Sequence, residues 1–307
     1  MSTPAKPHPG GFPAASPFPR RRRRQWLLGL LGVVVLAVLL DLAVGGMLVA
    51  PHQVRLAPAA GGGYPFESVE FPSASGARVR GWWWAVPNAR SAIILMHGVR
   101  ANRLTVLNRV SFLHAAGYSV LLFDFQAHGE TVGRHITYGY LESRDAAAAV
   151  AFVHQKDPAA KTAVLGVSMG GAAALLASPP LPVNALIVES VYPTITQAIE
   201  DRLIVRLGPW GRFGAPLLSW QLKPRLGIGV EDLCPIRSAA KITVPKFFLA
   251  GGADRLTTAE ESQALFDAAA GPKQLWIVPG AGHQDLHAFA PAEYERRVRA
   301  FLAESLR

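Results

Sequence analysis

The chain has 307 residues, half of them hydrophobic, with a net charge of +10 and a single cysteine. That composition suffices for one large or two ordinary domains and excludes a disulfide-stapled scaffold, because Cys234 has no second thiol to pair with. The charge is weaker evidence than its size suggests: residues 1–50 carry Lys6 and Arg20–Arg24 against the one acid Asp41, and the remaining excess follows no basic–aromatic pattern, so nucleic acid is not an expected partner.

Residues 1–19 are rich in Pro, Ala, Gly and Ser and, with the arginines that follow, read as a disordered basic tail over 1–25. Trp26–Leu40 is uninterruptedly apolar, and apart from Asp41 that character continues to Ala50, long enough to cross a bilayer as a helix. A cleaved signal peptide fits the shorter run, with Ala43-Val44-Gly45 as a small-residue cleavage site; an uncleaved anchor over 26–50 fits the full span better. Arginines on the N-terminal side hold that end in the cytoplasm, so the remainder is expected on the extracytoplasmic face. Pro51 to Pro65, with Pro58 and Gly61-Gly62-Gly63, reads as a linker.

Ser68–Pro72 and Arg78–Val86 read as an antiparallel pair turning at Gly76, with Trp82 and Trp84 on one face, Trp83 on the other, and all three packing into the core. Ser91–Met96 is a continuous apolar strand, residues 103–116 have helical spacing ending at Gly117, and Tyr118–Phe123 is the next strand. A helix over 142–156, the strand Lys161–Val167 and a short alanine-rich helix follow. Strands at Asn184–Val188, Lys246–Ala250 and Gln274–Val278 alternate with helices over 258–270 and 291–306. Uniformly apolar strands separated by helices indicate an α/β fold, a mostly parallel, doubly wound sheet in one domain over 66–307. Between Glu189 and Pro245 the connection is far longer than an ordinary crossover, so residues 191–244, with a helix at Ile195–Leu207, are expected to form a small helical cap. Its Leu, Ile, Trp and Phe content suits an apolar acyl group.

Gly166-Val167-Ser168-Met169-Gly170 joins strand to helix as a nucleophile elbow does. In a parallel sheet, functional groups gather beyond the C-terminal strand ends. His97 and Asp124 stand at such ends, as do Ser168, Glu189, Asp254 and His283, and the order serine, acid, histidine gives the elbow its chemical meaning. From about residue 66 onward the chain resembles the α/β-hydrolases, in particular the bacterial prolyl-oligopeptidase-like and acyl-esterase or thioesterase-like serine hydrolases. The matching segments are His97-Gly98, Phe123-Asp124 leading to His128-Gly129, the elbow, Gly251-Gly252-Ala253-Asp254 and Gly280-Ala281-Gly282-His283. The resemblance implies a Ser168, Asp254, His283 triad with the backbone N–H groups of Val99 and Met169 as oxyanion hole. Glu130 departs from it, standing where relatives commonly have serine.

Glu189 is the alternative acid and His287 the alternative base. Asp124, His128 and His97 are expected to shape loops, Arg100 and Arg103 to be solvated surface arginines, and Thr137–Tyr140 to pack a loop or line the entrance. No thiol pair or H-E-x-x-H motif is present, so neither metal nor other cofactor is expected. The expected activity is cleavage of a small-molecule carboxylic ester or thioester. A peptidase of the same fold and a catalytically silent membrane-anchored scaffold are the alternatives.

Overall fold

The computed structural model describes residues 20–57 and 63–307. The expected tail over 1–19 and most of the glycine-rich part of the expected linker lie outside these residues.

The chain divides into two units, residues 1–44 and 45–307. The first consists, in its described part, of most of helix α1 (Arg20–Val49). The helix begins within the segment expected to be a tail, because nothing in Arg20–Gln25 breaks it. Its 26-residue stretch Arg24–Val49 is about 39 Å long, more than the hydrocarbon thickness of a bilayer, and its most apolar 18 residues have a mean hydropathy of 2.8. The helix is apolar all round rather than along one stripe, which distinguishes it from a helix built to cover a soluble core.

The second unit opens with β1 (His52–Gln53), which lies inside the expected linker and pairs in parallel with β6 (His128–Gly129). The main sheet holds β2 (Glu67–Pro72), β3 (Arg78–Trp84), β4 (Ser91–Met96), β5 (Ser119–Phe123), β7 (Lys161–Val167), β8 (Ala185–Glu189), β9 (Lys246–Gly251) and β10 (Lys273–Val278), in the order β10-β9-β8-β7-β4-β5-β3-β2. The β2–β3 and β3–β5 pairs are antiparallel and the rest parallel.

Two apolar layers cover this sheet, and the period-two alternation of strands divides residues between them. Ala92, Ile94 and Met96 face one layer, with α3 (Glu142–Lys156), α4 (Met169–Leu176) and α9 (Ala259–Ala268). Ile93 and Leu95 face the other, with α2 (Val110–Ala115) and α11 (Pro291–Ser305). Trp83 falls in the first layer and Trp82 and Trp84 in the second, all three buried. The helix expected over 103–116 is a 3-10 turn, Arg103–Arg109, leading into α2. Arg103's amide donates to Asp124 Oδ1 at 2.7 Å, an attachment outside the helix that competes with regular winding.

Between β8 and β9 stands the helical insertion: α5 (Ile195–Leu207), a 3-10 turn Gly208–Phe213, α6 (Ala215–Trp220), α7 (Leu222–Leu226) and α8 (Pro235–Ala239). Thr194 caps α5 through Gln197 N, and Gly211 lets the 3-10 turn lie directly on the backbone of Leu203 and Ile204. A last short helix, α10 (Leu286–Phe289), is capped by Asp285 and precedes α11.

After β5 the chain returns past β4 to add β7 on its other side, so β4 and β7 bracket the point where the strand order reverses. Loops leaving two such strands in opposite directions open a crevice at their C-terminal ends.

Candidate active site

Ser168 sits in that crevice between β7 and α4, with φ 50° and ψ −115°. Few residues other than glycine adopt a positive φ, and here both neighbours enforce it. The Ser168 amide donates to Glu189 O at 2.7 Å, and its carbonyl accepts from Ala172 N at 2.9 Å. A Cβ on Gly166 would stand 2.5 Å from Gly171 N and one on Gly170 2.6 Å from Met96 O, so both positions need hydrogen alone for α4 to approach β4 and β7.

Asp254 leaves β9 in a loop that directs Leu256 N and Thr257 N onto its Oδ1 at 2.8 and 3.0 Å. Its Oδ2 lies 2.7 Å from His283 Nδ1, and His283 Nε2 lies 3.5 Å from Ser168 Oγ. An ionised carboxylate only accepts hydrogen bonds, so Nδ1 carries the proton and the Nε2 lone pair faces the serine. The Ser168–His283 separation is at the long end of a hydrogen bond, as is common in hydrolases without substrate. The Asp254 side chain is fully buried while that of His283 is 22% exposed, which leaves the imidazole open on the side a substrate would approach.

The loop after β4 forms the opposite wall. Val99 lines the cavity beside Ser168 and His283, and Gly98 is so close that a Cβ on it would meet Ser168 Cβ at 3.6 Å. His97 pins this loop, with Nδ1 2.7 Å from Gly98 O and Phe125 N donating to Nε2 at 3.1 Å. Burial, reinforced by His128, lowers its pKa to about 3, so the ring is neutral and donates through Nδ1. Met169, whose amide belongs to the first turn of α4, is buried next to the serine. The cavity is about 330 Å³, and Ser190, Arg202, Leu256, Arg109 and Asp285 are also among the residues of its wall.

The alternative residues stand elsewhere. Glu189 is 0% exposed, and its carboxylate is engaged by other groups than His283. Both its oxygens are 3.0 Å from Arg109, and it accepts from Tyr294 Oη at 2.8 Å and from Leu286 N at 3.3 Å. Arg109 continues to Asp285 Oδ1 at 2.8 Å, and Asn108 joins at 2.6 Å. Burial disfavours the Arg109 charge, but Glu189, Tyr294 and Asp285 outweigh it and raise its pKa. His287 points to Glu295, 3.1 Å away, and packs on Phe112 and Tyr294.

Asp124 and His128 shape loops: Asp124 accepts from Arg103 and from Glu130 N at 2.9 Å, and His128 Nδ1 lies 2.9 Å from Gln126 O. Arg103 corrects the expectation of a solvated arginine. It is 2% exposed, bridges Asp124 at 2.5 Å and Glu130, and lies 4.1 Å over the Trp82 ring. Arg100, with φ 54°, donates to Met47 O at 3.1 Å. Thr137 and Gly139 are tied to Glu142, and Tyr138 to Leu48 O, so this segment packs a loop.

Sequence reasoning missed the Arg109–Glu189–Tyr294–Asp285 cluster, which braces the chain just beyond His283, and the cavity residues Ser190 and Arg202. Arg202 donates to Ala198 O at 2.8 Å and Leu256 O at 3.3 Å, tying the insertion to the loop that bears Asp254. An arginine within the apolar stretch 104–113 was the available signal for the first; Arg202, on an amphipathic helix, carried none.

Residues 87–226 match the family model described as serine aminopeptidase, S33. An uncharacterized protein of Bacillus subtilis is 27% identical over 251 residues, covering 77% of this chain and 81% of its own. One from Mycobacterium tuberculosis is 29% identical over 235 residues, covering 75% and 76%. Among solved structures, the Pyrococcus furiosus esterase Pf2001 superposes with a TM-score of 0.68 at 25% identity, over 84% of this chain and all of that one. The dienelactone hydrolase of Anabaena variabilis shares the fold, with a TM-score of 0.58 at 17% identity, covering 79% and 99%. Strand order, elbow and these likenesses agree on the α/β-hydrolase fold.

Proposed function

We propose that the protein is a membrane-anchored serine hydrolase that cleaves carboxylic esters through an acyl-enzyme. The observation that carries this reading is the continuous line from Asp254 through His283 to Ser168, ending at a hydroxyl that faces a cavity. His283 takes the proton of Ser168 as Oγ attacks the acyl carbon, and Asp254 stabilises the resulting imidazolium. The N–H groups of Val99 and Met169 receive the negative charge that develops on the carbonyl oxygen, Met169 with the help of the α4 N-terminus. His283 then returns the proton to the leaving alkoxide, and water repeats the sequence on the acyl-enzyme.

The esterase likeness at 25% identity favours esters, whereas the family description names an aminopeptidase, so the two substrate classes are compared directly. A fluorophosphonate probe should label the wild-type chain and fail on Ser168→Ala. p-Nitrophenyl esters should turn over well above aminoacyl p-nitroanilides, and the reverse order would make the protein a peptidase. A folded chain that takes no label would be a binding protein. Helix α1 serves as the anchor with the hydrolase unit outside the cytoplasm; a reporter fused after Arg307 that is active only in the cytoplasm overturns that orientation.

A further inference from the structure

The surface of the insertion is not that of an ordinary soluble cap. Leu207, Trp210, Phe213, Leu217 and Trp220 are between 53% and 77% exposed. They form a cluster: the Trp210 and Phe213 rings are 6.0 Å apart, Leu217 and Trp220 share one face of α6, and α6 packs on both α5 and the 3-10 turn. Isolated exposed apolar residues mean little, but a contiguous aromatic patch marks a surface built to be covered.

Two observations indicate what covers it. From Arg202 to Val230 the chain contains no Asp or Glu but five basic residues, among them the exposed Arg206, Arg212 and Lys223. Arg212 lies 5.4 Å from the Phe213 ring, so cation and aromatic stand side by side, the composition of an element that lies in the headgroup region of an anionic bilayer. The second observation is position. The last turn of α1 belongs to the folded unit, and a Cβ on Gly45 would strike the Gln221 amide while one on Gly46 would come within 3.4 Å of Arg225. The carbonyls of that turn are taken up by Arg100 at 3.1 Å, Tyr138 Oη at 2.9 Å and Ile136 N at 2.9 Å. The α6–α7 junction of the insertion thus lies against the residues where the apolar helix ends.

We propose that the face of the insertion from Leu207 to Lys223 rests in the surface of the same anionic bilayer that α1 crosses, and that the cavity takes its acyl ester from that bilayer. The inference builds on the reading of α1 as an anchor and of Ser168 as nucleophile. Because Arg202 on α5 forms part of the cavity wall, the element that touches lipid is also the one that borders the site.

The test uses the full chain in phosphatidylcholine–phosphatidylglycerol vesicles. With brominated lipids, tryptophan emission should be quenched in the wild type and substantially less in Trp210→Phe/Trp220→Phe. The variant Trp210→Ser/Phe213→Ser/Leu217→Ser/Trp220→Ser should hydrolyse a vesicle-borne fluorescent diacylglycerol ester at least about tenfold more slowly while keeping its rate on p-nitrophenyl acetate. Carbonate extraction separates the failures. If the wild type washes out of the vesicles, the anchor fails and this placement with it; if it stays and Trp210 and Trp220 are not quenched, only the placement fails. A dimer that shields both tryptophans equally with and without brominated lipid assigns the patch to a second copy and overturns the proposal. Should the Ser variant lose activity on both substrates, the quenching measurement on the wild type decides.

Discussion

Two carboxylates leave neighbouring strands of one sheet, and they differ in what faces them. Asp254, after β9, holds an imidazole whose other nitrogen opens onto the cavity. Glu189, the last residue of β8, is enclosed by Arg109, Tyr294 and the Leu286 amide. A neutral imidazole has a lone pair that can take up a proton, while a guanidinium has none. The first arrangement is therefore suited to move charge and the second only to hold chain, although the residue types and strand positions look alike.

The largest effects should fall on the first arrangement. Asp254→Asn should lower kcat by about ten-thousand-fold with little change in melting temperature, because the imidazole loses its charge partner and its tautomer. Wild-type-like rates in that variant would break the distinction and make Glu189 the acid. Arg109→Met should do the opposite. It leaves Glu189 buried without its cation, costing about 3–5 kcal/mol in urea unfolding, while ester hydrolysis by the folded fraction falls by less than about tenfold. An equal collapse of rate without loss of stability would place Glu189 in the chemistry.

The two histidines at the site sharpen the same contrast. His97 is held neutral, with a pKa of about 3 against 6.5 when unfolded. As pH falls below about 6.5 the unfolded chain takes up that proton and the native one does not, so stability is full above this value and lost progressively toward pH 3. Asp145 pulls the other way, since burial raises its carboxyl to about 6 and its contribution is lost as pH rises through that value. The difference between wild type and His97→Gln isolates the imidazole and should change by about 1.4 kcal/mol per pH unit in the window. The smallest effect belongs to Glu130→Ser: Arg103 keeps Asp124, so unfolding should cost about 1 kcal/mol less and ester hydrolysis should be unchanged.

Strands and elbow were legible because their signals are local. An apolar run such as Ala92–Met96 is covered on both faces wherever it lies in the sheet, and Gly166 and Gly170 record a steric need within five residues of each other. The same holds for Asp254 and His283, each placed by its own strand end. The Arg109 cluster joins residues up to 185 positions apart, and the apolar neighbours of its arginine hint at burial without indicating the partners. Arg103 was misjudged for that reason, since its partners Asp124 and Glu130 lie across a turn and Trp82 on another strand. The β1–β6 pair is two residues long and leaves no periodicity to detect.

That small pair nevertheless fixes the course of the chain just after α1. His52 and Gln53 are stitched to His128 and Gly129, and Leu56 N reaches Glu130 at 3.2 Å, so residues 52–56 are bound to the loop that follows β5. Whatever loosens the loop that carries His128 and Glu130 would therefore free residues 52–56 as well.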